Sequence, residues 1–107
     1  MLFKPYLVEP ILSGHKTESR RLWRRCMVKV NGIYDAKINF RNDRAFAKIK
    51  ITYVRREKLG SIDNDGVRKE GCKSLEEFKK TWTDIYGKWG DETEVFVIGF
   101  SVVARLH

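Results

Sequence analysis

The stretch Gly14-His15-Lys16-Thr17-Glu18-Ser19-Arg20-Arg21 gathers an ammonium, two hydroxyls, a carboxylate and two guanidiniums into one short segment. If residues 17 to 23 run as a strand, alternation sends Thr17, Ser19 and Arg21 to one face. Lys16 lies at the turn before them, where alternation need not hold, so its ammonium is free to join that face. Gly14 supplies the flexible end of the preceding helix. Together these residues would make a cationic pocket with hydroxyl donors, suited to a phosphate or a carbonyl oxygen. The competing reading is that Lys and Arg near a turn are simply solvated.

A second stretch overlaps the first. Arg20, Arg21, Arg24 and Arg25 surround Trp23, which is what phosphate contact combined with base stacking requires. The alternative is that Leu22 and Trp23 belong to the core and the arginines only fringe them. A third is Arg68-Lys69-Glu70-Gly71, where Glu70 at a helix end reads as a solvated acid. Only a fold that returns Glu70 to Lys16 would make it a catalytic carboxylate. Trp82, Tyr86 and Trp89 read as core rather than as a base platform, because the first two sit at helical spacing.

The elements that must position these groups follow from periodicity. Residues 5 to 13 predict a short helix, with Pro5 in its first turn, Pro10 a source of kinking, and Gly14 its cap. Asn31-Gly32 is a turn signal. Residues 33 to 40 and 45 to 55 predict two paired strands, the second with Ala47, Ile49, Ile51 and Tyr53 on one face and Lys48, Lys50 and Thr52 on the other. Asp63-Asn64-Asp65 caps a short helix that Gly71 ends. Ser74-Leu75-Glu76-Glu77 has capping-box spacing and opens a helix to Gly87, its core face being Leu75, Phe78, Trp82, Ile85 and Tyr86. Residues 94 to 104 are apolar enough for a central strand. Strands with short helices at their connections predict an α+β fold built on a small barrel.

Composition bounds the function. A chain of 107 residues has room for one domain, residues 1–107. Lys and Arg total 22 against 14 Asp and Glu, a formal charge of +8, which makes nucleic acid the leading partner class. No apolar run approaches the roughly 18 residues of a membrane span, and no secretory signal opens the chain, so a cytoplasmic location is expected. Cys26 and Cys72 are read as reduced thiols, one or both buried. With only His15 and His107 beside them, no metal site is expected, and no cofactor. A monomer is expected.

These segments together resemble the ASCH (activating-signal-cointegrator homology) family, relatives of the PUA RNA-binding fold. The hallmark is a Gly-x-Lys-x-x-Glu-x-Arg run after the first helix. Gly14, Lys16 and Arg21 fit it, and Ser19 stands where the family has Glu. The order of the later segments also matches: Asp65 to Gly71, Ser74 to Phe78, Trp82, Ile85-Tyr86-Gly87, and Val95 to Phe100. The resemblance implies a PUA-like β-barrel of about five to six mostly antiparallel strands, with short helices at the connections and a cleft beside Gly14 and Lys16. It also implies a role with RNA or a modified nucleoside, through Gly14, Lys16, Thr17, Arg20, Arg21, Trp23, Arg24 and Arg25. One bacterial branch removes the acetyl group from the exocyclic amine of acetylcytidine with a Lys, a Thr and a Glu. By position these fall on Lys16, Ser19 and Glu70, and Ser for Thr keeps the hydroxyl. In that case a desolvated Lys16 takes the proton of Ser19, Ser19 attacks the acyl carbon, and Glu70 carries protons. RNA binding is the leading expectation, the amidohydrolase the alternative, and a ribonuclease ranks below both.

Overall fold

The structure is a computed structural model that describes residues 1–39 and 44–106. Residue 40, the far end of the strand predicted over 33 to 40, and His107 lie outside the described residues. Pro5–Leu7 form a 3-10 turn that runs into α1 (Val8–Ser13). Pro10 falls in the first turn of α1, where a missing N–H costs little, and Gly14 ends the helix at φ 84°. β1 (Glu18–Arg21) follows, shorter than the 17 to 23 predicted. β2 (Ile33–Ala36) and β3 (Ala47–Lys58) pair antiparallel after the turn at Asn31-Gly32.

Both predicted caps form. The Asp63 carboxylate accepts from Gly66 N at 2.7 Å and opens α2 (Asn64–Lys69). The Ser74 hydroxyl accepts from Glu77 N at 3.1 Å and opens α3 (Leu75–Tyr86), which Gly87 ends. On α3, Phe78 and Trp82 are buried, but Leu75 and Ile85 are exposed, against expectation. Leu75 is the first residue of the helix, and Ile85 lines a surface cleft.

β4 (Glu94–Arg105) pairs with both β1 and β3, giving the order β1-β4-β3-β2. The most apolar strand is therefore central, as its composition predicts. Among the described residues the sheet has four strands, all antiparallel, curled into a half-barrel. Five or six were expected. Among the described residues, the segments over 17 to 23 and 33 to 40 form strands of four residues each. The first residues of the chain meet β2 and Lys37 through the bridge Leu2–Lys37 and the Met1 amine on Asp35 O, without forming a further strand. Among the described residues, no helix is long and apolar enough to cross a membrane.

One irregularity of the sheet decides the site. Ile51 pairs with Phe100 and Tyr53 with Gly99, so Thr52 is an extra residue in the ladder. Such a bulge reverses the alternation beyond it. Ala47, Ile49 and Ile51 share one face with Phe96, Ile98 and Phe100, under α1 and the N-terminal segment. Tyr53 does not join them as the alternation predicted. It crosses to the opposite face, where Val95, Val97, Phe78 and Trp82 form a second core under α2 and α3. Arg55 and Glu57 then follow Tyr53 to that side.

Tyr53 fits there because its partner is glycine. A Cβ on Gly99 would stand 2.2 to 2.5 Å from three atoms of the Tyr53 ring. Gly99→Ala is expected to push the ring off its seat and cost about 1–3 kcal/mol, the usual range for overpacking. Urea denaturation checks this, and a loss below about 0.5 kcal/mol would show that the ring has room to yield.

Candidate functional site

β1 is an edge strand, and a cleft of about 490 Å³ wraps around that edge. Phe3, Tyr6 and Leu7 wall it on one side, and Phe78, Trp82, Ile85 and Tyr86 of α3 wall it on the other. Between these apolar walls the lining is polar: Lys16, Ser19, Arg20, Arg21 and Glu70. The volume falls within the range of small-molecule sites, which are mostly apolar with a few converging polar groups.

The condition that the sequence set for Glu70 is met. Lys16 Nζ lies 2.7 Å from Glu70 Oε1, and both side chains are buried. Local backbone brings this about. Lys16 N donates to Pro10 O at 2.9 Å, tying the turn to α1, and Thr17 N donates to Lys69 O at 2.7 Å, tying it to the end of α2. Glu70 caps α2, and Gly71 then reverses the chain at φ 87°. A Cβ on Gly71 would come within 3.2 Å of Lys16 Cβ, so that glycine lets the helix end lie flat against the lysine.

Lys16 Nζ has three acceptors: Glu70 Oε1 at 2.7 Å, Glu18 O at 2.7 Å and Glu70 O at 3.1 Å. Three donors matched by three acceptors is the arrangement of an ammonium. The Ser19 hydroxyl is bonded to Arg21 Nε at 2.8 Å, not to Lys16. Arg21 also donates through Nη2 to Leu2 O at 2.8 Å and lies over the Phe3 ring, 4.8 Å from its centroid. Burial pulls Arg21 below the ordinary guanidinium range, partly opposed by Tyr86 and Glu70. Among the described residues no carboxylate forms an ion pair with it. Arg21 is therefore a half-buried cation with donors to spare, suited to a developing negative charge.

Arg20, counted from sequence among the ligand-binding cations, touches the cleft but points to the face of β1 opposite Ser19 and Arg21, where carboxylates take its guanidinium. Its side chain is 1% exposed and rests on Glu18, Glu57 and Glu70. Burial by itself would lower its pKa, but attraction to Glu70, then Glu57 and Glu18, outweighs that and raises it. Glu18 also accepts from the Tyr53 hydroxyl, and burial followed by that contact drives the phenol well above its ordinary range.

The other predicted residues are dispersed. Thr17 is half-buried and, with Gly14, lines a smaller depression of about 280 Å³ that Lys16 also touches. Trp23 is half-buried and packs on Phe96, with ring centroids 6.3 Å apart. Arg24 and Arg25 are exposed. Of the two thiols, Cys26 is exposed and Cys72 half-buried, where at least one buried cysteine was expected. Cys72 lines the cleft, and burial, then Glu77 and Glu70, push it up to about 11, which leaves it a protonated thiol at neutral pH.

Sequence reasoning missed Glu57, Tyr53, Tyr6 and the contribution of Glu18. Glu18 and Arg20 are two apart on a strand, so alternation alone places their opposite charges side by side. Glu57 and Tyr53 had no such signal, since the bulge at Thr52 decides their face.

No protein-family model matches the chain, and no curated protein sequence does. Solved structures share its fold. The ASCH domain from Lactobacillus crispatus JV V101 superposes with a TM-score of 0.77 at 18% identity, over 94% of this chain and 72% of that one. A protein from Enterococcus faecalis V583 gives 0.69 at 16% identity, over 94% and 68%. The ASCH protein from Zymomonas mobilis gives 0.67 at 11% identity, over 95% and 67%.

Proposed function

We propose that this chain, which has the ASCH-domain fold, is a single-domain cytoplasmic amidohydrolase, acting as a monomer, that removes an acyl group from the exocyclic amine of a modified nucleoside. The observation that carries the reading is the Lys16–Glu70 contact of 2.7 Å beside the Ser19–Arg21 contact of 2.8 Å, at the polar base of one cleft. The apolar walls suit a planar base, and the polar end suits an acylated amine.

These residues can carry an acyl transfer once the Ser19 hydroxyl, here bonded to Arg21 Nε, turns to Lys16. Lys16 passes a proton to Glu70 and, now an amine, takes the proton of the Ser19 hydroxyl. Ser19 Oγ bonds to the acyl carbon, and Arg21 steadies the oxyanion. The carbon–nitrogen bond breaks as the pair returns a proton to the leaving amine. Water then attacks the Ser19 ester, giving its proton to the pair, and the carboxylic acid leaves with the serine hydroxyl restored. A panel of acylated and unacylated nucleosides, followed by mass spectrometry, tests the reading. Release of free cytidine from acetylcytidine supports it. No release by a folded protein would return the cleft to a binding role.

A second reading has its own support. Arg24 and Arg25 are exposed and follow Arg21 by three and four residues, within about 10–14 Å along the chain. On a chain of charge +8 they would hold the phosphates of an RNA strand whose base enters the cleft. RNA affinity is then expected to fall steeply with salt, and Arg24→Glu with Arg25→Glu to reduce that slope by about 1–2. Binding indifferent to both would remove RNA as the partner.

A further inference from the structure

We propose that Arg20 and Glu57 form a positioning pair that holds the Glu70 carboxylate against Lys16; this rests on the reading of Lys16 and Glu70 as the proton-handling groups of the cleft.

The argument starts from the two oxygens of Glu70. Oε2 accepts from Arg20 N at 2.7 Å and from Arg20 Nη1 at 3.2 Å. Oε1 is thereby left to Lys16 Nζ. One residue thus grips one oxygen through both backbone and side chain, and the carboxylate cannot rotate without breaking both contacts. Arg20 is fixed in turn. Its Nη1 also donates to Glu18 Oε1 at 3.0 Å, and its Nε donates to Glu57 Oε2 at 2.9 Å.

Charge explains why Glu57 matters beyond filling space. Arg20 is shared by three carboxylates, Glu18, Glu57 and Glu70. Glu18 has other support from the Tyr53 hydroxyl and from Arg55 at 3.6 Å. Neutralising Glu57 removes the charged anchor of Arg20 Nε, so the guanidinium is fixed less firmly and its hold on Oε2 of Glu70 slackens. Lys16 then loses the fixed orientation of Oε1 that this hold maintains. Glu57 stands at the rim of this network, 15% exposed, with Arg55 Nη2 at 3.2 Å from its other oxygen. It can be altered with less structural cost than Arg20 itself.

The experiment is Glu57→Gln in the full chain, read in two ways. The first is the proton–nitrogen resonance of the Lys16 ammonium, identified by its loss in Lys16→Met. Its hydrogen exchange reports how firmly Glu70 holds it. The second is steady-state hydrolysis of acetylcytidine. In Glu57→Gln, exchange at Lys16 is expected to quicken about tenfold and kcat to fall about tenfold to a hundredfold. KM should move less than about twofold, because Glu57 does not line the cleft. Glu57→Asp keeps the charge and should recover part of both changes. A folded Glu57→Gln protein whose Lys16 resonance and exchange match the wild type overturns the proposal, whatever its rate. The resonance reads the pair even if wild-type protein hydrolyses nothing, so failure of the pairing and failure of the hydrolase reading are told apart.

Discussion

Arg20→Leu is expected to destabilise the protein by about 3–5 kcal/mol, the cost of leaving buried carboxylates without their cation. The guanidinium meets Glu18, Glu57 and Glu70 within 2.9 to 3.2 Å, and its side chain and that of Glu18 are each 1% exposed. Leucine fills much of the volume and supplies none of the donors. Lys16 still pairs Glu70, and Tyr53 still reaches Glu18, so those two acids keep part of their support. Glu57 keeps Arg55 at the rim. Even so, a loss of this size is a large share of the about 5–15 kcal/mol that typical domains have. Denaturant unfolding with an unchanged m-value is the measurement. A loss below about 1 kcal/mol would mean that the three acids take up protons or water at little cost, and that the network does not hold the β1 edge.

Lys16→Met has the largest expected effect on activity. It removes the ammonium while keeping most of the aliphatic bulk, so the walls of the cleft should stand. On the proposed reading the general base and the partner of Glu70 disappear together, and kcat is expected to fall about 10³-fold or more. KM should change far less, because on the same reading the base of the nucleoside would rest mainly on the apolar lining to which Tyr6, Trp82 and Tyr86 contribute. Steady-state kinetics on protein shown to be folded by circular dichroism decides the matter. A kcat within about tenfold of wild type would take Lys16 out of the proton path and leave the ion pair a structural one.

Much of this was legible in the chain because its signals are local. A glycine at a helix end and Asp63 or Ser74 ahead of an amphipathic run each act within a few residues, and each formed as read, while the helix expected over 5 to 13 divides into a 3-10 turn and α1 with Pro10 in its first turn. The apolar run of β4 likewise had only one place to go, between two other strands. What failed was register. Period-two alternation assumes an unbroken ladder, and the extra residue at Thr52 sends Tyr53, Arg55 and Glu57 to the face opposite the one it indicates. That face is where Glu18 and Arg20 lie, so the acid network could not be assembled from pattern alone.

The site shows the same division. Lys16, Ser19 and Arg21 sit close in sequence, and the cleft gathers them. Glu70 is far away in sequence, and it meets Lys16 where Thr17 N bonds Lys69 O and Gly71 passes close to the lysine, contacts that no spacing rule encodes. The arginine run divided for a plain reason: neighbours on a strand face opposite ways. Arg20 is therefore buried on carboxylates while Arg21 looks into the cleft, and Arg24 and Arg25 lie beyond the strand in solvent.

The most direct measurement is the conversion of acetylcytidine to cytidine by wild-type protein and by Ser19→Ala, followed by mass spectrometry on samples shown to be folded. The wild type is expected to release cytidine and acetate, and the variant to release neither above the uncatalysed rate, because Arg21 then has no hydroxyl to hold at the acyl carbon. Equal conversion by both proteins would contradict Ser19 as the nucleophile, and no conversion by the wild type would contradict the hydrolytic reading of the cleft.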